Sequence, residues 1–216
     1  MTTADPGSQP VLGAIHARRS VRQFTDEPVP DEIVRALVDA ARAAPSGGNR
    51  QMWRFHAIRR RETLDAMCRA VADRIASIRA RVTSSRAQEQ YDGYTSLFTH
   101  FGRSPCVVAV MAKPYDSIYT RIVEKYVPAE ERPAQELVNV AAMSVAAAVE
   151  NMLLAATALG YGACFMTGPL VAQREIETLL GIKEPWHVVA LVPVGRPAAV
   201  PAAPARLALD EILTFD

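Results

Sequence analysis

The apolar positions of this chain change period several times, and each change marks an element. Residues 11–18 read as a short helix and 19–22 as a turn-like stretch. Pro30, Asp31 and Glu32 make a helix start with acids in the first turn; Ile33, Leu37, Ala41 and Ala44 then recur on one face until Pro45 stops the helix. A Gly-rich loop over 46–49 leads into an alternating strand over 53–59. Helical spacing returns over 62–81 with Leu64, Met67, Val71, Ile75 and Ile78, which predicts a basic outer face. Cys106–Ala112 is apolar without interruption and of strand length, so both faces of that strand should be covered, and Lys113 and Pro114 end it. Over 133–159 the pattern predicts one long helix that is apolar nearly all round, so a neighbour is needed on every side. A strand over 162–167, a helix over 171–180 and an apolar strand over 187–194 follow. The tail, 196–216, is Pro-rich and closes with Leu207, Leu209, Ile212 and Phe215, a set too apolar to dangle in water. Its expected place is along a surface, that of a second subunit included.

Length and composition narrow the classes. At 216 residues the chain is expected to be one domain over 11–216, with 1–10 a loose tail that lacks the basic-then-apolar order of a signal peptide or anchor. Half the residues are hydrophobic and 22% charged, too apolar for disorder, and a net charge of +1 argues against a nucleic-acid or membrane-surface binder. The longest apolar run, 140–149, is broken by Glu150 and Asn151, whereas a membrane span needs about 20 residues; a buried helix is expected. Cys68, Cys106 and Cys164 stand far apart without metal-ligand spacing, which points to a reduced, cytoplasmic protein without a structural metal. Among the 24 basic residues only Lys113, Lys125 and Lys183 are lysines. Most of the arginines read as background, yet guanidinium groups also grip planar anions.

Several cofactor signatures fail. Gly160, Tyr161 and Gly162 begin like a dinucleotide fingerprint, but the third glycine is absent and the segment joins a helix to a strand. There is no P-loop, no HExxH and no GxSxG elbow. Three segments could hold a planar anionic ligand. Arg18, Arg19, Ser20 and Arg22 offer bidentate phosphate contacts, with a solvated basic face as the alternative. The 44–53 loop has glycines that let backbone approach a ligand and Ser, Asn and Gln as polar partners, or is an ordinary connection. The third is 160–168, where Gly162 and Gly168 bracket a short apolar strand.

In this order the segments resemble the nitroreductase family of FMN-dependent NAD(P)H oxidoreductases, over essentially the whole chain. The resemblance rests on RRSVRQF at 18–24, PVP at 28–30, AAPSGGNRQMW at 43–53, ENMLLAATALGYGACFMTG at 150–168, VGRP at 194–197 and RLALDEI at 206–212. It implies an α+β fold, a three-layer α/β/α sandwich with a mixed, mainly antiparallel sheet. It further implies a homodimer paired through a long central helix, with FMN sites built from both subunits. On matching positions, Arg18, Arg19 and Ser20 are expected to hold the FMN phosphate and the nearby ring edge. Arg22 is placed beside flavin N1 and O2, where reduction accumulates negative charge that a fixed cation stabilises. Pro45, Ser46, Gly47, Asn49 and Gln51 are implied as the partner subunit's contribution. Thr167 and Gly168 are implied beside N5, and Arg206 as a second phosphate ligand; Arg196 stands where the family often has Tyr. No metal and no protein catalytic acid or base is implied.

The implied reaction is ping-pong: NADH or NADPH reduces FMN at N5, and a flat acceptor such as a nitroaromatic or quinone then takes the electrons. Met52 replaces the family's usual Pro. The variable region, about 83–126, carries Tyr91, Tyr94, Phe98, Phe101, Tyr115 and Tyr119, an aromatic lid or part of the core. Cys164 is expected to be a buried structural thiol. Other readings are reductive dehalogenation, although the Glu, Tyr and Lys lid set is missing; flavin cleavage, whose enzymes usually carry Asp where Ser20 stands; and a flavin-binding sensor without turnover.

Overall fold

The computed structural model describes residues 10–132 and 139–216. The expected N-terminal tail and the first turns of the expected 133–159 helix fall in or at the edge of the residues outside that range. The elements are α1 (Pro10–Ala17), α2 (Asp31–Arg42), β1 (Trp53–Ile58), α3 (Arg61–Arg79), α4 (Ser85–Thr95), β2 (Cys106–Ala112), α5 (Ile118–Tyr126), α6 (Val140–Ala158), β3 (Gly162–Ala163), α7 (Gln173–Leu180) and β4 (His187–Gly195).

The sheet has the order β1-β2-β4-β3, and every pair of named strands in it is antiparallel. The one parallel contact among the described residues is an isolated bridge between Ser20 and Ala163. All seven residues of β2 are buried, because strand alternation sends them to two cores. Cys106, Val108, Val110 and Ala112 meet α2 and α6, whereas Val107, Ala109 and Met111 meet α3, α7 and Phe101. The register slips at Val189 of β4, so that Val189 and Ala190 face the same core. Three layers result, helices on both faces of one sheet, the α+β sandwich that the family resemblance implied.

α6 has 19 residues within the expected 133–159 helix, and Glu150 and Asn151, which end the apolar run, sit inside it because polar groups on one stripe do not interrupt a helix. Asn139 caps it, its Oδ1 accepting from the Ala142 N–H at 2.9 Å. With a mean hydropathy of 1.6 it is long and apolar enough to cross a bilayer, yet Ala141, Ser144, Val145, Ala148, Val149, Met152, Leu153 and Ala156 form one stripe packed on α2 and the sheet. The opposite stripe, Ala142, Met143 and Ala146, is exposed. The expected neighbour on every side is therefore present on one side within this chain.

Three boundaries differ from the pattern. The expected strand over 162–167 shrinks to β3 and a lone bridge from Met166 to Leu191, because the chain leaves β4 to run beside residues 20–21. The expected 171–180 helix starts as a 3-10 turn, Gly168–Ala172, with Pro169 at its beginning, and becomes α7 at Gln173. From Ala198 on, the tail is exposed, with Leu207, Leu209, Ile212 and Phe215 at 64–88% exposure. These four side chains stay uncovered by the described residues.

Candidate functional site: an arginine cleft beside β3

Val21 anchors the first site segment. It is buried, its N–H donates to the Ala163 carbonyl at 3.0 Å, and its side chain fills the space where any Cβ at Gly162 would stand, at 2.7 Å. With Val21 turned in, the flanking arginines are held half-buried at the surface. Arg19 Nη1 donates to the carbonyls of His16 (2.6 Å) and Arg18 (2.7 Å), and Arg22 Nη1 to that of Ser20 (3.2 Å). The C-terminal segment meets the same strip. The Thr25 N–H donates to the Arg196 carbonyl and the Ala198 N–H to the Gln23 carbonyl, which turns the Pro-rich tail back across the arginines. A cleft of about 290 Å³ results, with Arg18, Arg19, Ser20 and Arg22 on one side and Pro201, Pro204 and Arg206 on the other. Among the described residues, Glu150 is the one carboxylate within 4 Å of these four guanidinium groups, its Oε1 lying 3.0 Å from Arg18 Nε. Four cations around one small cleft repel one another, and an anion relieves that repulsion.

The wall beside the cleft is made by β3 and the segments after it and before β2. Burial raises the pKa of the Cys164 thiol, while the charges of Arg22 and Arg18 and the Ser20 hydroxyl pull it back down. Cys164 is itself buried and free. His100 has its pKa lowered by burial first and by the charges of Arg103 and Arg22, and its Nδ1 is buried without a partner. A Cβ on Gly168 would stand 2.4 Å from the Phe98 ring, so only glycine lets the chain pass there. The preceding Thr167 is exposed, and its N–H makes no backbone hydrogen bond among the described residues.

The 45–51 loop is built elsewhere. Gly48, Asn49 and Gln51 all have φ near +50°, a region costly for side-chain-bearing residues. Ser46 supports the strained turn, its carbonyl accepting from the Asn49 N–H and its Oγ from the Gln51 N–H. The Gly47 N–H donates to Ser144 Oγ in α6 at 3.3 Å, and a Cβ on Gly47 would collide with Val140. Tyr115 lies over Gly47 and Gly48 and lines an 800 Å³ cavity with Tyr119, Asn139, Val140 and His187. Ser144 and Glu150 are six residues apart on α6, roughly 9 Å along its axis and about 120° around it. The loop and the arginine cleft thus flank different faces of one helix.

Arg18, Arg19, Ser20, Arg22 and Arg206 come together around one cleft; Thr167 and Gly168 lie outside its lining, and Pro45, Ser46, Gly47, Asn49 and Gln51 do not join them within the chain. Arg196 is engaged structurally: it stacks on Tyr161 at 4.2 Å and donates to the Gly160 carbonyl. The aromatic set divides. Phe101 is core, Tyr91 bonds the Ile75 carbonyl, and Tyr94 and Tyr119 are exposed. Sequence reasoning missed Glu150, read only as a break in an apolar run, and His100, which has no partner nearby in the chain.

An antiparallel sheet between two helical layers, with an anion cleft where β3 meets an N-terminal arginine strip, defines a class of α+β sandwich proteins. Within it the assignment is specific: a profile of the nitroreductase family matches residues 15–196, and the chain belongs to that family. A protein of Archaeoglobus fulgidus, named putative NADH dehydrogenase/NAD(P)H nitroreductase, is 30% identical over 86% of this chain and 84% of its own. The structure of a BluB-like flavoprotein from Clostridium difficile superimposes with a TM-score of 0.86 at 29% identity, over 94% of this chain and 97% of that one. A Bacteroides fragilis nitroreductase with bound FMN superimposes with a TM-score of 0.68 at 25% identity, over 96% and 99%. Relatives at lower identity include a 5,6-dimethylbenzimidazole synthase and an iodotyrosine deiodinase. Membership therefore defines a flavin oxidoreductase of this fold, while its members differ in reaction.

Proposed function

We propose that this protein is an FMN-dependent NAD(P)H oxidoreductase that passes electrons to a flat acceptor, a nitroaromatic or quinone. The observation that carries the reading is the cleft of about 290 Å³ where Arg18, Arg19, Arg22 and Arg206 converge from opposite ends of the chain. The Ser20 hydroxyl adds a neutral donor, and Arg22, held by the Ser20 carbonyl, supplies the positive charge for a flavin edge. The unbonded Thr167 N–H beside Gly168 is a donor for N5. Bound FMN supplies hydride chemistry, and the chain's part is to bind, orient and exclude water.

The functional unit is a homodimer. The exposed stripe of α6 and the exposed apolar tail both lack a partner among the described residues, and the 45–51 loop lies on another face of α6 from the cleft. A second copy supplies the loop, and Tyr115 and Tyr119 at the 800 Å³ cavity become an aromatic wall for the acceptor. Cys106 and Cys164 are buried free thiols, as suits the reducing cytoplasm.

Stopped-flow mixing of the purified, flavin-loaded protein with NADH and with NADPH tests the reading. Bleaching by one donor and recovery with a quinone are expected; colourless protein that refuses added FMN overturns it, and bound flavin that neither donor bleaches marks a sensor. Flavin cleavage is the second reading, supported by the relative named 5,6-dimethylbenzimidazole synthase and opposed by Ser20 where such enzymes usually carry Asp. Formation of dimethylbenzimidazole from reduced FMN under oxygen would establish it instead.

A further inference from the structure

Three of the four arginines at the cleft are on its N-terminal wall, and they are not held alike. Arg19 is fixed by two backbone carbonyls and Arg22 by one. Arg18 makes no such bond among the described residues. Its Nε is buried and meets no aligned acceptor, yet lies 3.0 Å from Glu150 Oε1, so the contact is one of charge and not a directed hydrogen bond. The Arg18 side chain is 22% exposed and that of Glu150 46%. Ordering an arginine costs rotamer freedom, and the neighbouring carboxylate is the one group among the described residues that offsets it. Glu150 is in the middle of α6, on the stripe that carries Met143 and Ala146, so its backbone is fixed by the helix.

We propose that Glu150 is a positioning residue that holds Arg18 in the anion cleft and so ties the grip on a phosphate group to α6. The proposal rests on the cleft being a phosphate site, the reading given above. A carboxylate at a phosphate site has two opposed effects: it repels the anion through space and it orders the cation that binds it. Here ordering dominates, because Arg18 has no other anchor among the described residues.

The test is a double-mutant cycle on the full-length protein. FMN dissociation constants are measured by quenching of flavin fluorescence for the wild type, Arg18→Ala, Glu150→Ala, Glu150→Gln and the Arg18→Ala/Glu150→Ala double variant; melting curves and sedimentation confirm fold and oligomeric state. Glu150→Ala is expected to weaken FMN about tenfold. In the Arg18→Ala background it should change nothing, and Glu150→Gln should fall between, since it keeps an acceptor and loses the charge. Thermal shifts with inorganic phosphate alone should follow the same order. Additive losses, or tighter binding in Glu150→Ala, would overturn the positioning role while leaving the cleft intact. If Arg18→Ala and Arg206→Ala both leave FMN affinity unchanged, the phosphate reading fails, and this proposal with it.

Discussion

Val21 shows how little sequence is needed to place a charged cluster. One buried side chain in RRSVR, facing a glycine that cannot obstruct it, turns Arg18, Arg19 and Arg22 outward toward a common space. Replacing Arg18 or Arg206 by Ala should weaken FMN retention at least tenfold in equilibrium dialysis, each removing one charge-assisted contact. Arg79→Ala should not, since Arg79 pairs with Asp92 on a solvated surface far along α3. Gly168→Val forces a Cβ into the Phe98 ring and should destabilise by about 1–3 kcal/mol in urea unfolding. His100 gives a pH dependence. Its folded pKa is lowered below the unfolded value of about 6.5, so the unfolded chain binds the proton first, and stability falls as pH drops through and below that value. His100→Gln should flatten that part of the curve of unfolding free energy against pH.

At the scale of elements, α6 connects core and site. Its inner stripe packs on α2 and the sheet, its N-terminal half supports the 45–51 loop through Ser144, and its middle holds Glu150 against Arg18. The outer stripe of small side chains suits close helix pairing. Ala146→Asp should therefore leave the fold intact, yet shift the protein to monomer in sedimentation and lower FMN affinity, since a charge there is solvated in one chain and buried in a pair. Strand β2 was readable from its unbroken apolar run because both of its faces are buried. β3 was not, because its length depends on where residues 20–21 leave the sheet edge, a contact some 140 positions away along the chain.

For the whole molecule, the tail is the informative part. Residues 199–216 are exposed throughout, yet they carry Arg206 and six large exposed apolar side chains, among them Leu207 and Phe215. Truncation after Ala198 should yield a folded protein that has lost both dimerisation and FMN, measurable by light scattering and the flavin absorbance of the purified protein. Survival of both would show that the tail is dispensable and the partner surface lies elsewhere.

The periodicity of the chain by itself determined the helices α2, α3 and α6 and the strands β2 and β4, since burial of an apolar face is a local demand written into spacing, whereas the layered α+β arrangement came only from the family resemblance. It also supplied the arginines, as side chains suited to an anion. Which of those arginines meet was decided by tertiary structure, because Arg18 and Arg206 are separated by most of the chain and converge only when residues 23–25 pair with 196–198. The same holds for Glu150, whose carboxylate reads as an interruption in one dimension and stands against a guanidinium in three. Charge interactions depend on distance in space and leave no period in sequence.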